Sequence, residues 1–214
     1  MALSTPRRRS PLRTLAFAVG AAFAISRADK WQRSMGSTPA ERDATLPGDN
    51  LVPAPRLEST RAIGVGAPPQ AIWPWLLQMG QDKAGFYSID RLERMIGLGI
   101  VSADEIVPEW QNLAVGDPVR LGPDVELRAA IVEESRALVL TPGDAPSPSK
   151  LLPTEFSWAF ILEPEGVAGA RLVIRERYGW TAPGLAPWFR LVAAASGLMT
   201  AAMMRGIRRR AERR

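Results

Sequence analysis

Three consecutive charged residues, Arg175-Glu176-Arg177, follow the apolar run Leu172 to Ile174 in the stretch from Ala170 to Tyr178. Successive side chains of a strand point to opposite faces, so the two arginines share one face and Glu176 takes the other. Leu172 and Ile174 argue that Glu176 faces inward, whereas Val173 argues for the arginines, and the sequence leaves both open. Whichever set faces in places charge at an apolar wall, which is costly unless paired or used. Other carboxylates have the spacing of acid–base or metal pairs: Asp90 with Glu93, and Asp104 and Glu105 with Glu109. Both groups have a plainer reading. Asp90 and Glu93 lie beside Arg91 and Arg94 on a short surface helix, and Asp104-Glu105 after Ser102 reads as acidity at a helix start. An oxygen-ligand metal site needs more convergence than this, so no metal is expected.

The chain of 214 residues contains no cysteine and no histidine. Disulfides, thiolate nucleophiles, Ser-His-Asp arrangements and most zinc or non-haem iron chemistry are thereby excluded. Any catalysis must use carboxylates, Lys, Arg, Tyr, Ser or bound water, and binding without transformation gains weight. Gly64-Val65-Gly66 and Gly97-Leu98-Gly99 continue to neither a third spaced glycine nor a Lys-Ser/Thr, so neither is a phosphate loop. No cofactor is implied.

The elements that position these residues are legible from their periodicity. Arg56 to Gly66 alternates as a first strand, with Ile63 and Val65 on one face. Ala67-Pro68-Pro69 stops it and pre-sets a helix over Gln70 to Met79, with Pro74 in or just past the first turn. Ser88 is a good N-cap for a second short helix, Ile89 to Ile96, ended by Gly97 and Gly99. Strands are expected at Asp117–Leu121, Val125–Glu133, Ala137–Thr141, Glu155–Glu163 and Ala170–Tyr178. Phe156, Trp158, Phe160 and Leu162 alternate most cleanly. Gly143 to Pro153 is a Pro- and Ser-rich hairpin loop. Pro187 opens a last helix to about Arg210, striped by Trp188, Val192, Ala195, Met199, Met203 and Gly206. Strand, two helices, about five strands and a long helix is the order of a helix-grip fold, of class α+β. Residues 31–50 form an arm before it, with a possible capping box at Thr38 and Glu41.

The wording of the first half is as informative as its pattern. Ala67-Pro68-Pro69-Gln70-Ala71-Ile72-Trp73-Pro74-Trp75-Leu76-Leu77-Gln78-Met79-Gly80 is followed by Gly85-Phe86-Tyr87-Ser88-Ile89-Asp90-Arg91-Leu92-Glu93. Next come Ile106-Val107-Pro108-Glu109-Trp110 and Val115-Gly116-Asp117-Pro118-Val119-Arg120-Leu121. Together these resemble the SRPBCC superfamily, the START-like helix-grip proteins whose branches include polyketide cyclase/dehydrase and lipid-transport groups. The resemblance runs from Trp31 to the C-terminus. It implies a curved antiparallel sheet wrapped around the last helix, with a cavity between them. In such a fold the last helix is the cavity lid. Its small residues would make room, and Met199 and Met203 would adapt to varied apolar ligands. Phe86, Tyr87 and Trp110 would cover the mouth, where a Tyr or Trp offers an apolar body and a polar tip. The expected lining is therefore Phe86, Tyr87, Trp110, Trp158, Phe160, Glu176, Arg177, Ala195, Met199 and Met203.

The expected function is binding or carriage of a hydrophobic or amphipathic small molecule (a lipid, polyketide or isoprenoid) near a membrane. One alternative is a cyclase/dehydrase-type enzyme without histidine, in which Tyr87, Arg177 or Glu176 handles protons and proximity and orientation supply most of the rate. Another is an interaction module whose cavity has collapsed.

Charge distribution bears on partners. Residues 1–30 hold six Lys/Arg against Asp29, and residues 205–214 hold six Arg against Glu212, while residues 31–204 carry 15 basic and 20 acidic side chains. The basicity sits in two tails around an acidic body. Without a basic face interleaved with aromatics, no nucleic acid is expected. Terminal arginines, among them Arg205, Arg208, Arg209 and Arg210, fit an anionic membrane surface. Near the N-terminus, Arg7-Arg8-Arg9 and Arg13 precede an apolar run, Leu15 to Ile25. As a helix this run spans roughly 16 Å, about half a bilayer core. It suits a signal-peptide core with Ala22-Phe23-Ala24 as a cleavage site, an uncleaved short anchor, an interfacial helix, or a plain disordered or domain-packed terminus. Export or membrane association through this segment is the expected localisation, and the cytoplasm otherwise. Fourteen uncharged residues from Leu191 to Met204 are too few to span a bilayer comfortably. Oligomeric state is not readable from the sequence.

Overall fold

Strand formation follows the alternation of the sequence. Six strands form one antiparallel sheet: β1 (Leu57–Val65), β2 (Pro118–Gly122), β3 (Val125–Glu133), β4 (Ala137–Thr141), β5 (Glu155–Glu165) and β6 (Gly169–Gly179). The computed structural model describes residues 27, 29–88, 102–142, 153 and 155–213. Most of the expected N-terminal signal or anchor segment (residues 1–30), the helix Ile89–Ile96 with Asp90 and Glu93, and most of the Gly143–Pro153 loop lie outside the described residues.

The strand order is β1-β6-β5-β4-β3-β2. Strands β2 to β6 form a meander, and β1 closes it beside β6, with Ser59 opposite Glu176 and Ala62 opposite Val173. Short helices precede and follow β1: α1 (Pro39–Asp43) and α2 (Pro69–Leu77). The last element is α3 (Ala186–Ala211), which lies across one face of the sheet. This is an α+β helix-grip fold.

The two faces of the sheet bury different things. Phe156, Trp158, Phe160, Leu172, Ile174 and Tyr178 share a core with Phe189, Ala193, Met203, Met204 and Ile207 of α3 and with Ile72, Trp75 and Leu76 of α2. Their alternates, Ala159, Ile161 and Val173, form a smaller cluster on the other face with Ala62, Val139 and Leu46. That second face is covered by the arm. The Thr38–Glu41 capping box forms around α1. Arg175 spends all five guanidinium donors there: on Thr60 Oγ1, the Ala44, Glu41 and Arg42 carbonyls, and Asp49. Arg171 binds Glu41, and Arg177 binds Asp49 and Glu58. A chain of three arginines thus fixes residues 36–49 to the sheet.

Pro74 lies in the second turn of α2, just past the first. Its missing N–H leaves one bond out of the ladder, and its own carbonyl accepts from the Gln78 backbone and from Gln111 Nε2. Asp104 and Glu105 start no helix; Asp104 pairs instead with Arg210 and Arg213.

Candidate functional site

A charged pair is buried where the sheet meets α3. Alternation along β6 sends Glu176 to the α3 face together with Leu172, Ile174 and Tyr178, which settles the question the sequence left open. Alternation along β1 sends Arg61 to the same face, directly opposite Ile174. Arg61 Nη1 donates to Glu176 Oε2 at 3.0 Å, and both side chains are almost fully withdrawn from solvent (0% and 1% exposed). Tyr178 Oη donates to the same oxygen at 3.3 Å. On the other oxygen, Ser196 and Thr200 of α3 donate through their hydroxyls. They lie four apart, so one helix face presents both. Four donors therefore saturate the carboxylate.

The guanidinium is also held from behind. Its Nε donates to the Gln32 carbonyl at 3.0 Å and Nη2 to Gln32 Oε1 at 3.3 Å. Gln32 in turn donates through Nε2 to the Ala194 carbonyl of α3. Gly197 makes this crossing possible: a Cβ there would overlap Gln32 Nε2 and Arg61 Nη2. The Tyr178 hydroxyl is pushed well above its ordinary value, first by burial and then by the Glu176 charge.

Two buried polar atoms flank this centre and have no protein hydrogen-bond partner among the described residues: Ser59 Oγ and Trp158 Nε1. Ser59 and Trp158 are the cross-strand neighbours of Glu176 on its two sides. Ser59, Glu176, Trp158 and Leu140 thus form one row across the sheet. Adjacent strands lie about 4.8 Å apart, so the two atoms mark opposite ends of a short polar row set in apolar surroundings. Trp158 stacks near Phe160 (4.8 Å between centroids) and Phe86 (6.5 Å). Leaving a buried donor unpaired costs about 1–3 kcal/mol, so each is a position that a bound molecule would satisfy.

The expected lining residues divide. Phe86, Trp158, Phe160, Glu176 and Met203 are gathered in or beside this core, with Trp110 half-buried at its edge. Met199 is half-buried on α3. Three assignments are corrected. Arg177 lies on the opposite face, because strand alternation separates it from Glu176, and it is paired with Asp49 and Glu58. Ala195 is exposed on the solvent side of α3, because the helix turns its 193/197/200 side toward the sheet. Tyr87 does not offer a free polar tip: its hydroxyl donates to the Trp75 carbonyl at 3.0 Å, and its ring meets Trp75 edge-on. Burial raises its pKa above the ordinary tyrosine value. Its backbone is left-handed (φ 56°), fixed by Ser102 Oγ at its amide. Arg210 is also not a free surface arginine. It caps the Tyr87 ring at 4.8 Å, donates to the Ala103 carbonyl and pairs with Asp104. Arg208 is half-buried, whereas Arg205 and Arg209 are exposed.

Arg61, Ser59, Ser196 and Thr200 were not anticipated. Parity held the clue, since Arg61 shares its face with Ile63 and Val65, and two inward charges of opposite sign on separate strands call for each other.

No family model matches the sequence, and no curated protein matches it. Among solved structures, the chain is similar to a protein of Thermobifida fusca at 16% identity, covering 72% of this chain and 92% of that one with a TM-score of 0.45. It is similar to a protein of Mycobacterium smegmatis at 14% identity, covering 72% and 89% with a TM-score of 0.44. It is also similar to a Polyketide_cyc-like protein of Corynebacterium glutamicum at 14% identity, covering 71% and 89% with a TM-score of 0.39.

Proposed function

We propose that this domain binds a neutral amphipathic small molecule between the sheet and α3, with the molecule's polar end on the Ser59–Glu176–Trp158 row. The observation that carries the reading is the pair of unpartnered buried atoms, Ser59 Oγ and Trp158 Nε1, on either side of a saturated ion pair. Trp158 Nε1 can only donate, so it asks for an acceptor oxygen. Arg61 and Glu176 cancel each other's charge, so the row favours a hydroxyl, ketone or ester over a carboxylate or an amine. The aromatic walls formed by Phe86, Trp158 and Phe160 suit the apolar remainder.

Proton transfer is the weaker reading. Glu176 accepts four hydrogen bonds and has no lone-pair site left to take a substrate proton. Tyr87 is engaged with Trp75, and Arg177 is on the other face. Carriage or sensing fits better than a cyclase/dehydrase reaction.

The test is displacement of an environment-sensitive apolar dye from the full chain by long-chain alcohols, methyl esters and fatty acids of equal length. The expected order is alcohol and ester ahead of carboxylate, with Trp158→Phe weakening the alcohol about tenfold, the effect of one lost hydrogen bond of ~1.4 kcal/mol. A dye that never binds, or alcohol and carboxylate competing equally in parent and variant, overturns the proposal.

A further inference from the structure

The outward face of α3 is apolar where a solvated helix should be polar. Leu191 and Leu198 are 63% and 58% exposed, Trp188 is 42% exposed, and Ala195 lies between them on the same helical stripe. At 100° per residue, positions 188, 191, 195 and 198 fall within one sector. Trp31, 67% exposed, precedes Gln32, whose Nε2 donates to the Ala194 carbonyl of the same helix. A contiguous apolar face carrying two tryptophans marks an interaction surface rather than scattered exposure.

Its surroundings say what it meets. Along α3 the same stripe continues into Arg205 and Arg209, both exposed, and Arg190 and Lys30 are exposed beside its apolar part. The helix carries no acidic residue from Ala186 to Ala211. Two such faces would repel each other across a dimer, whereas an anionic bilayer complements the cations and accepts the leucines and tryptophans at the headgroup level. No helix among the described residues is long and apolar enough to cross a membrane, so contact would be with the interface.

We infer that the Trp31/Trp188/Leu191/Leu198 face of α3 docks on an anionic phospholipid bilayer. This inference stands apart from the ligand proposal, since these residues point away from the Glu176 row. The full chain is floated with vesicles of phosphatidylcholine alone and of phosphatidylcholine with 30% phosphatidylglycerol, a composition of roughly one anionic lipid in three chosen to give a surface potential. The parent should bind the anionic vesicles more tightly, and Leu191→Asp with Leu198→Asp should weaken binding about tenfold or more while leaving the thermal melt unchanged. Arg205→Glu with Arg209→Glu should weaken binding to anionic vesicles at low salt only. Vesicles carrying brominated acyl chains should quench the parent's tryptophan fluorescence, and the Trp31→Phe, Trp188→Phe variant should lose most of that quenching. Binding untouched by the aspartate variants would mean that the N-terminal apolar run holds the protein without this face. A parent dimer in solution that the same aspartates dissociate would mean that a second copy covers it. Either result overturns the inference.

Discussion

Removing one partner of the Arg61–Glu176 pair should not cost the same as removing the other. Glu176→Leu leaves a guanidinium that is 0% exposed and has, among the described residues, only Gln32 as acceptor. Breaking a buried pair in this way costs about 3–5 kcal/mol, because a charge is left unpaired in an apolar interior. It also strips the Tyr178, Ser196 and Thr200 hydroxyls of their shared acceptor. Arg61→Met leaves a carboxylate that keeps those three hydroxyl donors, so its cost should fall to about 2–3 kcal/mol, between a lost charged hydrogen bond and a bare charge. The double variant removes both charges and should recover part of the loss. The cycle should therefore show a coupling of about 2 kcal/mol or more. Urea unfolding of the full chain, followed by tryptophan fluorescence and circular dichroism, gives all four corners. Single variants that each cost less than ~1 kcal/mol and add in the double would put the pair in the range of exposed ion pairs and refute the reasoning.

Three other outcomes follow from the packing. Gly206→Ala should destabilise the protein by about 1–3 kcal/mol, since a Cβ would strike the Tyr87 backbone carbonyl and Cβ, while Gly197→Ala displaces only the Gln32 and Arg61 side-chain ends and should cost less; comparative thermal melts decide. Both tyrosines, Tyr87 and Tyr178, have their pKa raised by burial above the ordinary value of 10, so this stabilising contribution is complete below pH 10 and is lost as pH rises beyond it. An ultraviolet titration should show no tyrosinate before the chain unfolds, and a reversible ionisation near 10 in the folded state would contradict this. Burial pushes the Glu41 carboxyl up, but the hydrogen bonds and charge of Arg171, with those of Thr38, outweigh it and hold it below 4.5. Its contribution is present above pH 4.5 and is lost as the pH falls through the lower folded value, so hydrogen exchange in residues 36–49 should accelerate in acid, and Arg171→Met should remove that acceleration.

The fold was legible because the strands alternate strongly. The limits of β3 and β4 match the sequence reading, and β5 and β6 differ only at their ends. Pro74 was legible as a proline just past the first turn, and helix α2 survives it because its neighbours are packed in the core. The candidate site was half legible. Glu176 was singled out, yet its partner lies 115 positions away on β1, and only the strand pairing brings Arg61 to it. Arg177 and Ala195 were misassigned for the same reason. Parity and helix phase are relative, and what decides their sense is the arm that claims Arg175 and Arg177 on one face and the pair that claims Ser196 and Thr200 on the other. Tyr87 was expected at the cavity mouth because the resemblance implies that the Phe86-Tyr87 segment covers it. Its left-handed backbone and the close approach of Gly206 turn it inward instead.

The central claim is that a neutral acceptor on a long apolar molecule engages Trp158. Its most direct test is the indole N–H resonance of Trp158 in the full chain, assigned by its loss in Trp158→Phe, during titration with a long-chain alcohol and with the alkane of equal length. The expected result is a downfield shift of that resonance with the alcohol and none with the alkane, as an unpaired donor acquires an oxygen acceptor. A resonance that stays in place with the alcohol at saturation, while the other tryptophans respond, would contradict the account.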